Sequence, residues 1–234
     1  MSLVDVAMVG HLGPEALAAT GMGGMLAWGA LSIVLGIRTS VQTITSRRLG
    51  QKKPKECIDA LNNGFLLASI YSIPISFLGW TYGYLIIPLF ISDSITTPIA
   101  ISYFSISSIG IFFNALSFVF QGFYTGIEKT KIHLSVTITS NIINAYLNAG
   151  FIYGKAKLGY FFGSQTNNFF DFSNLWFWAD FEGMGVTGAA IGTLIASIWM
   201  MGHYFYYLKK QKIIIDNKGF LSLGLNNEML KKQI

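Results

Sequence analysis

Charged residues are scarce in this chain. Lys, Arg, Asp and Glu together make up 12% of its 234 residues, against about 25% in an average soluble domain. Hydrophobic residues reach 52% and aromatic residues 15%, and the mean hydropathy is +0.51. A soluble protein of this length needs more polar surface than these residues can supply. The composition therefore excludes a soluble globular domain and predicts a protein surrounded by lipid.

Cysteine and catalytic motifs are nearly absent as well. Cys57 is the only cysteine, which excludes an internal disulfide framework and a cysteine-rich metal cage. The histidines, His11, His133 and His203, show no ligand spacing, and we assign none of them a chemical role. No nucleophile elbow, phosphate loop, HExxH pair or haem motif occurs in the sequence. We therefore expect neither an enzyme nor a bound cofactor or metal.

Apolar runs long enough to cross a bilayer recur along the sequence and predict five complete helices after a partial one at the start. The predicted bounds are about 1–9 for the partial helix, then 14–46, 56–87, 98–127, 133–153 and 183–208. The second helix exceeds the thickness of a bilayer core, so it must tilt or project. Pro74 predicts a kink in the third. Residues 209–234 are polar and basic, and we interpret them as a cytoplasmic linker.

Connections rich in basic residues alternate along the sequence with connections that contain few of them. The basic residues occur in three connections, at 47–55, 129–131 and 209–212. The connections between these hold no basic residue except Lys155 and Lys157, which three acids dilute. The positive-inside rule then places both termini in the cytoplasm of a cell with a bacterial-type inner membrane. The net charge is +5, but the basic residues come in short groups between apolar runs and not along one face. This distribution excludes a nucleic-acid partner.

Residues 155–182, between the fifth and sixth helices, are rich in aromatic side chains. These are Phe161, Phe162, Phe169, Phe170, Trp176 and Trp178. One interpretation is an aromatic belt or short surface helix at the outer head groups. The other is an extracellular gate or lid, and the sequence leaves both open.

A carboxylate lies in the partial first helix. Asp5 precedes the apolar run Val6–Val9, and an ionisable group inside a membrane needs a partner or a water-filled cavity. It is either a proton or cation site or a charge near a helix end in the head-group layer. Arg38 lies toward the cytoplasmic end of the second helix, where we interpret it as snorkelling to the head groups.

Two of the predicted helices carry a polar face. On the fifth helix the face consists of Thr137, Asn141, Asn144 and Asn148, at offsets of four, seven and eleven. On the fourth it consists of Gly110, Asn114, Ser117 and Gln121. Residues at such offsets share one side of a helix. The two faces either line a polar cavity or hold the bundle together by interhelical hydrogen bonds.

Small residues recur every four positions on the sixth helix, at Gly188, Gly192 and Ala196. This spacing lets helix backbones approach closely, so we predict tight packing of this face against another helix. Thr193 adds a hydroxyl group next to this stripe.

Four segments, in this order, resemble the multidrug and toxic compound extrusion (MATE) transporters. They are VDVAMVGHLGPEALAA at 4–19, GIRTSVQT through RLGQ at 36–51, NIIN at 141–144 through Gly154, and GMGVTGAAIGT at 183–193. Together they extend over nearly the whole chain. No single segment is decisive, but four in the right order are hard to obtain by chance.

The resemblance implies an all-α integral membrane protein, with a six-helix transmembrane bundle that is one lobe of a twelve-helix, two-lobe transporter. It implies secondary active export of drugs, organic cations or other amphipathic small molecules in antiport with protons or sodium ions. The ion-coupling residues that it implies are Asp5, Asn144, Asn148 and Thr193. For the lining of the substrate cavity we expect Asn114, Ser117, Gln121 and Asn141.

The sequence departs from the family pattern in two ways. Asn148 stands where the family has an aspartate, so one carboxylate fewer is available to hold sodium. Asp5 alone would still couple by protonation, because removal from water favours the neutral carboxyl. Six helices, the first of them clipped, are half the expected number. Because two lobes form the cavity together, either the sequence is truncated or two chains assemble. We expect a fragment whose carboxy-terminal lobe is missing.

Other functions remain as alternatives. A flippase of the same superfamily, carrying lipid-linked oligosaccharides, would line its cavity with basic residues, and Arg38 is almost alone in that respect. A non-transporting membrane half would not need the polar faces of the fourth and fifth helices. A membrane enzyme comes last, since no catalytic set is present.

Overall fold

The structure is a computed structural model that describes residues 2–163 and 175–210, with the side chains of 5–158 and 175–210. All of its regular elements in these ranges are helices, which confirms the all-α class. The six α-helices are α1 (Ser2–Val9), α2 (Pro14–Gly50), α3 (Pro54–Ile86), α4 (Thr96–Gly126), α5 (Thr130–Gly163) and α6 (Gly185–Lys209). Short 3₁₀ turns at Gly10–Leu12 and Ile87–Leu89 join α1 to α2 and follow α3.

Four helices are long and apolar enough to cross a membrane: α2, α3 extended to Leu89, α4 and α6. The chain is therefore a multi-pass membrane protein. The helix α5 is 34 residues long but is not among the four, because its polar side chains lower its hydropathy. Such a helix is stable in a bilayer only when its polar face turns toward other helices.

Two helices contain a break in their regular backbone. The sequence indicates the break in one of them and gives no sign of the break in the other. The backbone of α5 breaks at Gly154, where φ is +70°, a value that glycine adopts without strain. This break falls where the sequence ended the fifth helix. In α3 the residue with non-helical dihedral angles is Tyr82, and Pro74 lies inside the helix, where the kink remains a prediction. Tyr82 lies between Gly79 and Gly83, where a Cβ would overlap Ser108 and Ser105 of α4, so α3 and α4 are in close contact at this break.

The chain forms two compact units, which are described separately. The first, called here the Asp5 unit, consists of Met1–Ala27, Leu78–Ile109 and Asn141–Ala196. The second, called the Arg38 unit, consists of Trp28–Phe77, Gly110–Ser140 and Ser197–Ile234. The helices α2 to α6 each contribute one segment to each unit.

The core of the Asp5 unit joins five helices, with α2 contributing Ala16. Val9 of α1, Tyr103 of α4, Ile152 of α5 and Ala189 of α6 belong to one buried hydrophobic cluster. Burial of such side chains stabilises a fold only by packing when the surroundings are lipid. The small side chains of α6 in this cluster therefore matter because they allow the neighbouring backbones to approach.

The core of the Arg38 unit is aromatic. Phe120 packs against Phe65, Tyr204 and Phe205, with ring centroids 4.7–5.4 Å apart. Tyr124 stacks on Tyr204 at 5.7 Å. Offset-stacked and edge-to-face pairs of this kind contribute roughly 0.5–1.5 kcal/mol each beyond their buried area. They fix the positions of α3, α4 and α6 within this unit.

Basic residues are distributed very unequally between the two units. Within the described ranges, every Lys and Arg except Lys155 and Lys157 belongs to the Arg38 unit. The α2–α3 and α4–α5 connections and the end of α6 all lie there. The side of the membrane on which these connections lie follows from the positive-inside rule and remains a prediction. Residues 211–234, most of the proposed linker, lie outside the described residues.

Candidate functional site

The Asp5 carboxylate is the centre of a buried polar cluster formed by α1, α5 and α6. Asp5 is 2% exposed, and Asn144 and Asn148 are fully buried. The Asn148 amide donates a hydrogen bond of 2.5 Å to Asp5 Oδ1. The Thr193 hydroxyl donates one of 3.1 Å to Oδ2 and accepts one of 3.0 Å from the Asn144 amide. The structure thus brings together all four residues for which the sequence predicts ion coupling.

The cluster presents an excess of oxygen acceptors. The amide oxygens of Asn144 and Asn148 are buried and accept no hydrogen bond. A buried acceptor without a donor costs about 1–3 kcal/mol. These amide oxygens, the two carboxylate oxygens and the Thr193 hydroxyl are ligands of the kind that hard cations prefer. A bound proton or metal cation is the kind of ligand that would satisfy them.

Glycine residues of α6 make room for this cluster. A Cβ placed on Gly192 would overlap the Oδ1 atom of Asn148, and one on Gly188 would overlap the backbone of Phe151. The predicted close packing of this stripe is thus confirmed, with α5 as the partner helix. Gly192 has a second role that the sequence did not reveal, because it sets the position of the Asn148 side chain.

Two tyrosines near the site also escaped the sequence analysis. The hydroxyl group of Tyr153 donates a hydrogen bond of 2.5 Å to the carbonyl of Met8 and so ties the end of α1 to α5. The buried Tyr103 of α4 packs in the same hydrophobic cluster as Val9 of α1. Neither residue belongs to a polar periodic pattern. Aromatic side chains are ordinary core residues, so nothing in the sequence distinguishes these two.

The segment 175–184, called here the strap, is bound to α5 by five hydrogen bonds. Trp176 and Trp178 donate their indole N–H groups to the carbonyl and the hydroxyl group of Tyr146, both at 2.8 Å. The Tyr146 hydroxyl donates to the carbonyl of Leu175 at 2.6 Å. Backbone bonds join Lys155 to Ala179 and Met184 to Phe151. The strap therefore covers the face of α5 that contains Ala149 and Gly150, next to Asn148.

The side chains of the strap alternate between the protein and its surroundings. Leu175 and Phe177 are 55% and 74% exposed, whereas Trp176 is buried and Trp178 is half-buried. Exposed apolar side chains fit the aromatic-belt interpretation, and the tight attachment to α5 fits a fixed cover. Phe161, Phe162, Phe169 and Phe170 lie outside the described side chains, so the question of belt or lid is open for them.

Three of the four predicted cavity-lining residues lie in the Arg38 unit, and Asn141 lies in the Asp5 unit. The Asn114 amide donates to the Ser197 hydroxyl of α6 at 3.0 Å. Ser117 donates to the Phe113 carbonyl of its own helix. The Asn114 bond joins α4 to α6 and is of the bundle-holding kind, whereas the Ser117 bond stays within α4. Contact of these residues with a substrate remains a prediction. The Asp5 unit also has a cavity of about 440 Å³, lined by residues including Leu12, Ala16, Ile99 and Val186.

Histidine is more involved than its spacing suggested. In the Arg38 unit, His133 contacts the Gln121 amide through Nε2 and the Tyr204 hydroxyl through Nδ1, and His203 contacts the Thr139 hydroxyl at 3.0 Å. Across the described side chains, no group of three or more His, Cys, Asp and Glu residues is arranged to hold a metal ion.

Comparison with known proteins places these residues in a family. The MatE family model matches residues 1–149. Two curated relatives carry the name "Probable multidrug resistance protein NorM". The one from Photorhabdus laumondii is 29% identical over 213 residues, which are 90% of this chain and 42% of the relative. The one from Bacillus subtilis is 27% identical over 155 residues, which are 66% of this chain and 34% of the relative.

Solved structures agree on the fold. The inward-facing structure of a multidrug resistance MATE family transporter of the MOP superfamily matches with a TM-score of 0.78 at 20% identity. The match covers 99% of this chain and 46% of that protein, so the chain spans less than half the length of the proteins that it resembles. Because the family model matches well over half of this sequence, the chain belongs to the MatE family, the multidrug and toxic compound extrusion transporters.

Proposed function

We propose that this chain is the amino-terminal lobe of a secondary active exporter, which moves amphipathic or cationic small molecules out of the cell in exchange for protons or sodium ions. The observation that carries the proposal is the cluster around Asp5. A fully enclosed carboxylate held by two neutral side chains is an expensive arrangement for a structural role alone. It is useful where the charge is to be neutralised and released in each transport cycle.

The four side chains of the cluster are suited to ion exchange for a second reason. Asp5, Asn148 and Thr193 come from α1, α5 and α6, which also pack together in the hydrophobic cluster that contains Val9, Ile152 and Ala189. Binding of a cation changes the charge that α5 and α6 face. An ion can shift a conformational equilibrium only through such differential contacts. The cluster therefore links ion occupancy to the relative positions of three helices.

The proton is the favoured coupling ion. Asp5 is the single carboxylate of the cluster, and Asn148 contributes no negative charge. Sodium bound by one carboxylate and neutral oxygens has less electrostatic stabilisation than sodium bound by two carboxylates. A proton needs only one carboxylate, and the enclosed position favours the neutral form.

The direction of transport and the kind of substrate rest on the relatives. The name "Probable multidrug resistance protein NorM" describes those relatives, and the proposal extends drug efflux to this protein. A second lobe is needed because paired lobes form the cavity between them. By the positive-inside rule we place the basic connections and both termini on the cytoplasmic side of a bacterial inner membrane. The basic connections all belong to one unit.

A flippase for lipid-linked oligosaccharides is the second candidate. Arg38 favours it, because a half-buried guanidinium group is a natural partner for a lipid phosphate. The buried carboxylate of Asp5 argues against it, since a phosphate carrier has no need of a cation site. A membrane half without transport activity is the remaining alternative, and an enzyme is not proposed.

Ethidium efflux from cells that express the complete reading frame tests the proposal. The sodium gradient and the proton gradient are collapsed separately, and membrane insertion is verified by fractionation. We expect efflux to stop when the proton gradient is lost and to persist when the sodium gradient is lost. Asp5→Asn should abolish gradient-dependent efflux, because the variant has no group to neutralise.

Asp93→Asn is the matched control. Asp93 is a carboxylate in the α3–α4 connection that accepts hydrogen bonds from the Thr96 hydroxyl and backbone N–H, and Asn retains this cap while losing the charge. It should leave efflux unchanged. Efflux by Asp5→Asn at the wild-type rate would refute the coupling role of Asp5. No efflux by the inserted wild-type protein under any gradient would favour the flippase or a non-transporting half.

A further inference from the structure

Tyr153 of α5 holds the carboxyl end of α1. Its hydroxyl group donates a hydrogen bond of 2.5 Å to the carbonyl of Met8, and α1 ends one residue later, at Val9. The last carbonyl groups of a helix have no partner within that helix. The Tyr153 hydroxyl therefore satisfies one of these groups from a neighbouring helix and joins the two backbones at this point.

Asp5 lies in the same helix, three residues before Met8. This spacing is less than one helical turn and corresponds to about 4.5 Å along the helix axis. Over so short a distance a helix moves as one body, because the backbone hydrogen bonds of each turn connect it to the next. A bond that fixes Met8 therefore also restricts the position of Asp5.

The hydrogen bonds that reach α1 from α5 and α6 depend on different groups. Asn148 and Thr193 donate to the carboxylate of Asp5, and a hydrogen bond to an ionised acceptor is about twice as strong as one between neutral groups. Both bonds therefore weaken when the carboxylate is neutralised. The bond from Tyr153 ends on a backbone carbonyl, which does not titrate. It can hold α1 in either charge state of Asp5.

The backbone around Tyr153 is fixed by the strap. The next residue, Gly154, breaks α5, and a Cβ at this position would overlap the carbonyl oxygen of Phe181. A Cβ on Gly183 would overlap the backbone of Tyr153 itself. A residue that positions another group must have a fixed position of its own, and the strap provides it here.

The side chains of Met8 and Tyr153 each pack against two hydrophobic clusters. One is the core of the Asp5 unit, which contains Val9 and Ile152. The other consists of Ala149, Leu158, Trp176 and Ala179. This second cluster joins α5 to the strap. The Tyr153 ring is thus held between the core and the strap, with its hydroxyl group directed at α1.

We propose that Tyr153 is a positioning residue for ion coupling. Its bond to the Met8 carbonyl sets the height and rotation of α1 that keep the Asp5 carboxylate within hydrogen-bond reach of α5 and α6. The inference rests on the proposed function, since it gives Tyr153 a part in the ion exchange at Asp5. Tyr153 acts through α1 and is not itself a coupling residue.

Infrared spectroscopy of the purified product of the complete reading frame, in lipid nanodiscs without any ion gradient, tests the proposal. The C=O stretching band of protonated Asp5 is identified as the band that Asp5→Asn lacks in the difference between acidic and alkaline pH. Hydrogen bonds to a carboxyl group lower the frequency of this band. Tyr153→Phe keeps the ring and removes the hydroxyl, so the band should move to higher frequency. A band at the wild-type frequency would refute the positioning role.

Tyr71→Phe is the matched control. The Tyr71 hydroxyl donates to the Ala30 carbonyl at 2.8 Å and so joins α3 to α2 within the Arg38 unit. The variant loses the same kind of bond between a tyrosine and a helix backbone, and it should leave the Asp5 band in place. An equal shift of the band in both variants would also refute the proposal, because it would indicate a general loosening of the helices.

A double-mutant cycle provides a second test that needs no spectroscopic band. Tyr153→Phe is made in the wild type and in Asp5→Ala, and each melting temperature is measured. The loss of the hydroxyl should lower the melting temperature less in Asp5→Ala, because no carboxylate bonds are left for it to maintain. Tyr71→Phe should have the same effect in both backgrounds. Equal effects of Tyr153→Phe in the two backgrounds would show a purely structural bond and overturn the proposal.

Ethidium efflux separates this proposal from the transport function. Gradient-dependent efflux by Tyr153→Phe should fall about tenfold or more below that by Tyr71→Phe, because a displaced Asp5 no longer exchanges its ion within the cluster. A shifted infrared band with unchanged efflux would support the control of Asp5 by Tyr153 and refute the part of Asp5 in coupling. An unshifted band would refute the role of Tyr153 whatever the efflux result.

Discussion

Asn148 donates a hydrogen bond of 2.5 Å to the carboxylate of Asp5, which lies 143 positions earlier in the chain. The amide thus stands where the family resemblance leads one to expect a second carboxylate. Asn148 can donate a hydrogen bond to Asp5 without being titratable itself, whereas a deprotonated aspartate could not. The chemistry of the site therefore depends on this one side chain.

The first prediction concerns Asn148→Asp. Two carboxylates at this separation cannot both be ionised unless a metal cation lies between them; otherwise the pair retains a proton. The variant should therefore gain a sodium-specific increase in melting temperature that the wild type lacks, measured in sodium chloride against potassium chloride. Sodium at 100 times its dissociation constant would add about 2.7 kcal/mol. An equal sodium-specific increase in the wild type would show that Asn148 does not weaken sodium binding.

The second prediction concerns the hydroxyl group of Thr193. Thr193→Val removes the donor to Asp5 Oδ2 and the acceptor for the Asn144 amide. The loss should reduce the free energy of unfolding by about 1–3 kcal/mol and lower ethidium efflux sharply. Thr193→Ser keeps the hydroxyl and should retain most of both. If the Val and Ser variants behave alike in denaturation and in efflux, the hydroxyl has no role in the cluster.

The third prediction concerns the glycine that faces Asn148. Gly192→Ala places a methyl group against the Asn148 amide oxygen, so either α6 or Asn148 must move. Overpacking of this kind costs about 1–3 kcal/mol, and displacement of Asn148 should reduce efflux.

Gly202→Ala is the matched control on the same helix. A Cβ on Gly202 meets no atom within 4 Å, so melting temperature and efflux should remain close to the wild type. A Gly192→Ala protein with normal efflux would mean that the position of Asn148 is unimportant for transport.

The fourth prediction concerns the strap and its anchor. Tyr146→Phe removes the hydroxyl that accepts from Trp178 and donates to Leu175. Unsatisfied groups of this kind cost about 1–3 kcal/mol, and 1.4 kcal/mol corresponds to about tenfold in an opening equilibrium. Hydrogen exchange of the backbone amides of residues 175–184 should therefore accelerate about tenfold or more.

Tyr206→Phe provides the comparison for the strap experiment. Its hydroxyl contacts only the exposed Lys210 among the described hydrogen bonds, and it should leave exchange in the strap unchanged. Exchange at the wild-type rate in Tyr146→Phe would show that the backbone bonds to Lys155 and Phe151 hold the strap without the tyrosine.

The sequence predicted the end of a helix well where a single residue causes it. Gly154 ends the regular part of α5 because its positive φ is a property of the residue itself. The break at Tyr82 gave no local signal, because the close contacts of Gly79 and Gly83 with α4 arise only when the helices pack.

The polar site likewise combines features that the sequence predicted with features that only the packed helices show. Offsets of four placed Asn144 and Asn148 on one side of α5, but spacing alone left open whether that side faces a cavity or a neighbouring helix. The family resemblance, and not the periodicity, grouped these residues with Asp5 and Thr193. Tyr103, Tyr153 and His133 gave no signal at all, because a buried aromatic or imidazole ring looks like any other core residue until its neighbours are known.

Hydropathy and charge by themselves determined that this protein is helical, resides in a membrane and carries its basic connections at one end of its helices. These properties depend on each residue's interaction with lipid or water, which its type decides. Only the tertiary structure decided which polar atoms meet. The Asn148 bond to Asp5 and the contact of Gln121 with His133 join separate helices, and such pairings depend on the rotation and approach of whole helices, to which many distant residues contribute.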